Sequence, residues 1–285
     1  MSFGTVAILG PGLIGGSLAL ALAERGLTDK LVIWARNENS FPAIREKLPQ
    51  ATLTTDIIEA VSDADIIVLC VPIETMKGLV EKFADSLKPT ALVTDVGSVK
   101  ESVDREIAPL LAGKALWIGS HPMAGSEQAG FAAARAHLFD SAKVIITPVG
   151  TRPSEEAIKE RAEVFWRKLG GNVFFAPPVE HDKMVAHISH LPHLAAAALV
   201  NATREDFFRV AGSGFRDTTR VASGSPDLWT EIAWDNREKI LTALSSFIVE
   251  LEHFKKSLKE TNKSHLRNFL QRAHDQRSKL PKPNL

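Results

Sequence analysis

The chain has 285 residues, 45% hydrophobic and 24% charged, which is the balance of a folded protein with room for two domains of ordinary size. Lys plus Arg equals Asp plus Glu at 34 each, so no global field gathers nucleic acid or an anionic membrane, and neither is expected as a partner. The single cysteine, Cys70, lies in an apolar run, which excludes an intramolecular disulfide and suits a reducing compartment.

The opening residues, MSFGTVAILG, are apolar but carry no basic flank, and the run breaks at Gly10, too short for a secretory signal or a membrane span. They read as a first strand, residues 5–9, of a cytoplasmic protein. Further strands are expected at 31–34, 65–71, 92–95, 116–119 and 143–147, with helices between them at 13–25, 57–61, 74–85, 99–111 and 128–137. This alternation is the rhythm of a doubly wound parallel sheet, and IIVLCV, apolar on both faces, belongs in its middle. A helix at 154–169 and a strand at 173–176 follow, and the tandem prolines Pro177 and Pro178 end the pattern. The α/β domain is therefore expected to span residues 1–177. Residues 178–285 read as an all-α domain, whose Ala-rich run LAAAALVNA suits packing against a copy of itself in a homodimer.

GPGLIGGS follows the first strand and opens an apolar helix, the required context for the GxGxxG fingerprint of a Rossmann-like dinucleotide site. Gly10 permits the tight turn, Gly12 lets the backbone approach a pyrophosphate, and Gly15 allows close helix packing. The N–H groups at the helix start bind the phosphate. Leu13 and Ile14 on that turn, Val71 and Pro72 at the end of the third strand, and Gly97 after the fourth complete the expected cofactor contacts. An NAD site commonly places an acid at the end of the second strand, where this chain has Ala35 and Arg36. Arginine there can pair with a 2′-phosphate, so NADP is expected over NAD; the alternative is a solvated arginine beside an NAD site.

Ser98 and Glu101 in TDVGSVKES satisfy the S-x-x-E capping box, although Ser98 also lies at a strand end facing the ligand crevice. GSHPMAGSEQAG places His121 at the carboxyl edge of the sheet, where an imidazole can take a hydroxyl proton as hydride departs. In HDKMVAHISHLPH, His190 and His193 have HxxH spacing, but no acid or cysteine completes a zinc set, and no metal is expected. Pro192 should bend this helix.

Taken in order, GPGLIGGS, DVGSVK, GSHPMAG, SHLPH and GFRDTTRVA resemble the prephenate dehydrogenase family over nearly the whole chain. The resemblance implies oxidative decarboxylation of prephenate to 4-hydroxyphenylpyruvate with NAD(P)+ in tyrosine biosynthesis. It further implies that His121 is the catalytic histidine on the ring 4-hydroxyl and that Ser98 shares that contact. His193 would lie near the pyruvyl side chain, Arg220 would hold the ring carboxylate, and Trp229 would stand near the side-chain end. Arg216 and Glu127 would line or gate the pocket, making the helical domain substrate-binding as well as dimerising. Arogenate, or both substrates, is the alternative within this reading. A β-hydroxyacid dehydrogenase or imine reductase shares the domain plan but needs a different donor in its helical half. A redox-sensing module that binds NADP without catalysis needs only the glycine loop.

Overall fold

The structure, a computed structural model, describes residues 2–125, 128–150, 155–260 and 262–281. Its first half begins with β1 (Thr5–Leu9), α1 (Leu13–Glu24), β2 (Lys30–Trp34), α2 (Phe41–Lys47), β3 (Thr52–Thr54), α3 (Ile57–Val61), β4 (Ile66–Leu69) and α4 (Ile73–Phe83). It continues through β5 (Leu92–Asp95), α5 (Glu101–Leu111), β6 (Leu116–Trp117), β7 (Gly119–Pro122), β8 (Lys143–Thr147), α6 (Glu155–Lys168) and β9 (Asn172–Phe175). Strands β1 to β6 form a parallel sheet in the order β3-β2-β1-β4-β5-β6, the doubly wound arrangement expected from the sequence. Side-chain alternation divides each central strand between two cores. Val6, Ile8, Ile33 and Val68 pack with Leu18 and Leu22 of α1 and Trp166 of α6, while Ala7, Leu9, Ile67 and Val93 pack with Val80 of α4 and Ile107 of α5.

Two local expectations need correction. The run expected as one strand at 116–119 breaks at Ile118, and Gly119–Pro122 joins a second sheet, antiparallel to β8, which is parallel to β9. His121 therefore sits within a strand, opposite Ile145, and not in a loop beyond one. The helix expected at 128–137 is only a short turn, Phe131–Ala133. Its backbone is engaged elsewhere: the Arg135 N–H donates to Ser17 Oγ at 3.0 Å, laying the segment against α1. The short elements α2 and β3 had no periodicity long enough to read.

After Phe175 the described residues form no further strand. The elements are α7 (Pro178–Val185), a π-helical turn (Ala186–His190), α8 (Leu191–Asn201), α9 (Ser213–Thr219), α10 (Pro226–Asp235), α11 (Arg237–Lys259) and α12 (Lys263–Arg277). Pro192 stands at the start of α8, and the widened turn before it absorbs the missing N–H and the ring's bulk. Within the all-α region, α10 and α11 are separated at Asn236, whose side chain is buried and bonded to α7. No described helix is long and apolar enough to cross a membrane.

Candidate active site

The glycine loop lies at the carboxyl edge of the parallel sheet. Gly10 has φ +107°, and a Cβ there would lie 2.7 Å from the Cys70 carbonyl oxygen; one on Gly15 would lie 2.1 Å from that of Gly10. Both positions exclude side chains because of the protein's own backbone. At Gly12 an added Cβ meets nothing within 4 Å, so the loop leaves open space over the start of α1. The first turn of α1 has no side-chain cap and no acid. Unclaimed N–H groups, a helix's positive end and an open cradle fit a pyrophosphate. Leu13 and Ile14 begin this turn, and Arg36 is exposed just past β2. Val71 and Pro72 lead into α4, and the buried Gly97 follows β5 on the same sheet edge.

Asp95, at the end of β5, organises the neighbouring crevice. Its carboxylate accepts from the Gly97 N–H at 2.8 Å and the Ser120 N–H at 3.0 Å, and it pairs with the fully buried Lys100 ammonium. The Ser120 hydroxyl donates to the Asp95 carbonyl at 2.6 Å, and Trp166 Nε1 donates to that hydroxyl at 3.0 Å. These bonds fasten β7 to β5, which fixes where His121 stands.

A cavity of about 320 Å³ opens between the two halves of the chain, lined by Ser98, His121, Ser189, His190, His193, Arg220 and Trp229, among others. Five side chains selected from sequence thus converge: Ser98, His121, His193, Arg220 and Trp229. Arg216 does not join the lining; it is exposed, and its Nε donates to the Ala211 carbonyl at 3.3 Å. Glu127 lies outside the described residues. His193 stacks on Trp229 with ring centroids 3.6 Å apart. Its Nδ1 lies 3.1 Å from the Ser189 carbonyl, which can only accept, so Nδ1 carries the proton and the neutral ring presents Nε2 as an acceptor. Donation by His193 to a ketone therefore requires its imidazolium form.

Sequence reasoning passed over the shell behind these groups. His121 Nδ1 lies 2.8 Å from His181 Nε2, and His181 Nδ1 lies 2.7 Å from Asp182 Oδ1. Asp182 also accepts the Lys100 N–H at 2.8 Å and the Glu101 N–H at 2.9 Å, so it caps α5. The capping box expected from Ser98 and Glu101 does not form, because the helix starts at Glu101 and its orphan N–H groups point at Asp182. Asn236 Nδ2 donates to the Asp182 carbonyl at 2.9 Å and to His190 Nδ1 at 3.1 Å, which leaves the His190 proton on Nε2, buried and without a partner. Neither His181 nor Asp182 stood out in the sequence, because their partners lie across the fold.

Burial dominates the titration of these rings. His121 is held well below the usual histidine range by desolvation, then by His181, Lys100 and His190. Desolvation also lowers His181, against the pull of Asp182, and lowers His190 to about 4. His193 is lowered by burial and by the nearby Arg220, while the Ser189 carbonyl pulls the other way. The site therefore holds a cluster of neutral imidazoles with a cation, Arg220, at the cavity wall.

Residues 18–175 match the family description "Prephenate dehydrogenase, nucleotide-binding domain", and residues 177–272 match "Prephenate dehydrogenase, dimerization domain". The prephenate dehydrogenase of Bacillus subtilis is 33% identical, over 97% of this chain and 76% of its own length. The cyclohexadienyl dehydrogenase of Zymomonas mobilis is also 33% identical, over 90% of this chain and 89% of its own. The solved structure of a prephenate dehydrogenase from Aquifex aeolicus, in complex with hydroxyphenyl propionate and NAD+, matches with a TM-score of 0.90 at 29% identity, over 99% of both chains.

Proposed function

Because the chain belongs to the prephenate dehydrogenase family, we propose that it oxidatively decarboxylates prephenate to 4-hydroxyphenylpyruvate in tyrosine biosynthesis. The observation that carries this reading is a buried, neutral His121 sharing one cavity with Ser98 and Arg220. A nicotinamide dinucleotide held on the glycine loop supplies the hydride acceptor for the carbinol carbon. His121 takes the 4-hydroxyl proton, and Ser98 shares that oxygen. The Arg220 guanidinium suits a bidentate grip on a carboxylate, and Trp229 with His193 bounds the side-chain end. Loss of carbon dioxide makes the ring aromatic and the step effectively irreversible.

One observation favours arogenate as a second substrate. A neutral His193 offers an acceptor to an amino group, whereas a ketone needs the protonated ring. Arg36, exposed beside the adenosine end of the site, supports NADP over NAD. We place the domain division after Pro177, and the molecule in the cytoplasm as a homodimer through its helical half. Membership of an enzyme family sets aside the redox-sensor reading.

Steady-state rates with prephenate and arogenate, each with NAD and NADP, test the assignment. The highest kcat/KM is expected for prephenate with NADP, and absence of nicotinamide reduction with both substrates would overturn it. Arg220→Ala should weaken prephenate roughly 10- to 100-fold, the value of a lost hydrogen bond to a charged group, and leave NADP binding unchanged.

A further inference from the structure

His121 meets the cavity on one side and the buried His181 on the other, and that second contact dictates where its proton sits. A carboxylate can only accept, so the 2.7 Å contact with Asp182 Oδ1 puts the His181 proton on Nδ1. His181 Nε2 is then a lone pair, and the 2.8 Å contact requires His121 Nδ1 to donate. His121 Nε2 is left bare, in the form a base needs. The N–H groups of Lys100 and Glu101, at the positive end of α5, donate to the Asp182 carboxylate and hold it in place. Its backbone is anchored by Asn236, and His181 and Asp182 are both essentially inaccessible to solvent. His121 lines the cavity, whereas His181 and Asp182 do not.

We propose that His181 and Asp182 are positioning residues for His121, fixing the tautomer that bares Nε2 and stabilising the imidazolium formed when it takes the substrate hydroxyl proton. The inference rests on the reading of His121 as the base. In the step itself, the O–H bond breaks and an Nε2–H bond forms on His121 while hydride passes to the nicotinamide. The charge on His121 is shared through Nδ1–H toward His181 and balanced by the Asp182 carboxylate. Decarboxylation returns the electron pair to the oxygen, which takes the same proton back from Nε2 as the phenol forms. The relay ends as it began, with no net proton gained. The groups facing His121 are His181 from α7, His190 from the π turn and Lys100 from the start of α5, with Asp95 paired to Lys100 and Asp182 behind His181. Asp182 balances this otherwise cation-forming surround from the helical side.

Histidine ¹⁵N NMR of the intact enzyme, with His121 assigned through His121→Asn, reads the tautomer directly. Protonated Nδ1 with bare Nε2 is expected, and the opposite tautomer overturns the proposal. His181→Leu should lower kcat roughly 10- to 100-fold, the usual cost of removing a histidine's orienting partner, with KM for prephenate and NADP little changed. His181→Gln, whose amide oxygen can still accept from Nδ1–H, should recover most of that loss. Asp182→Asn should move the acid-side inflection of kcat to lower pH, because the imidazolium loses its counter-charge. A folded His181→Leu enzyme with wild-type kcat and pH profile, or equal losses in the Leu and Gln variants, refutes the relay. If His121→Asn itself retains full kcat, the base assignment fails instead, so the two failures are distinguishable.

Discussion

An imidazole in water takes a proton near pH 6.5, and burial without a fixed counter-charge moves that point down. His121 follows this rule, so its rate profile should differ from the rise near neutrality that an unperturbed histidine base would give. The base is already neutral on the acid side of pH 6.5, so kcat/KM should be nearly flat across about pH 6 to 8 and fall only at lower pH. Stopped-flow or steady-state profiles check this, and a midpoint at neutrality would contradict it. His121→Asn should lose about 10² to 10⁴ in kcat with a modest change in KM. The same shifts set acid stability. Below about pH 6.5 the unfolded chain binds protons that folded His121, His181 and His190 refuse, so stability falls as pH drops toward the value of about 4 held by His190. His190 alone contributes on the order of 3 kcal/mol to that loss once pH is below its folded value. Urea midpoints at neutral and acid pH should show the fall, with a shallower slope in His190→Asn. Ser98, His121, His193 and Arg220, which share one cavity wall with Trp229, could be picked from the sequence because each sits in a short local motif, whereas Trp229 came from the family resemblance alone. His181 and Asp182 could not, because their meaning depends on partners in other elements.

Helix and strand boundaries show where local signals stop being sufficient. The glycine loop and strands β1, β5 and β8 were readable, since turn chemistry and apolar runs are properties of neighbouring residues. The start of α5 was not, since its cap comes from Asp182 in α7 and not from the nearby Ser98. The break between β6 and β7 escaped for a similar reason: the bonds of Ser120 to Asp95 and Trp166, which tie β7 to β5 and α6, are all long-range. The glycine loop separates folding from binding in a way that mutagenesis can read. Gly15→Ala drives a methyl into the Gly10 carbonyl and should lower the melting temperature and abolish dinucleotide binding together. Gly12→Ala meets no protein atom within 4 Å, so its melting temperature should hold while dinucleotide affinity drops. Equal melting losses in both variants would mean that Gly12 serves the fold.

Across the whole molecule, the two halves bury apolar surface unequally. The sheet domain has two extensive cores, whereas the buried core of the helical half is small, Ala186, Ile240 and Ala243 with a few partly buried neighbours. Leu241, Ile248, Leu251 and Leu258 are exposed on α11, where helical spacing gathers them into a stripe about 100° wide. In the proposed homodimer a second copy would cover this stripe and complete the helical core, so Ile248→Asp with Leu251→Asp should shift the light-scattering mass from dimer to monomer; an unchanged mass places the interface elsewhere. The Asp182 clasp has a mechanical corollary. The Pro177–Pro178 joint looks like a place for the halves to swing, yet at Asp182, four residues beyond Pro178, the chain is tied down. Asp182 grips the start of α5, and Lys239 of α11 meets Glu101 at 3.2 Å. The joint therefore behaves as a weld. By contrast, α9 and the turn carrying Arg220 contain no buried residue, so that wall of the cavity is less firmly held than the one carrying His121. On the proposed reading of the site, substrate entry and product exit then fall to the loosely held wall, while the base keeps its place.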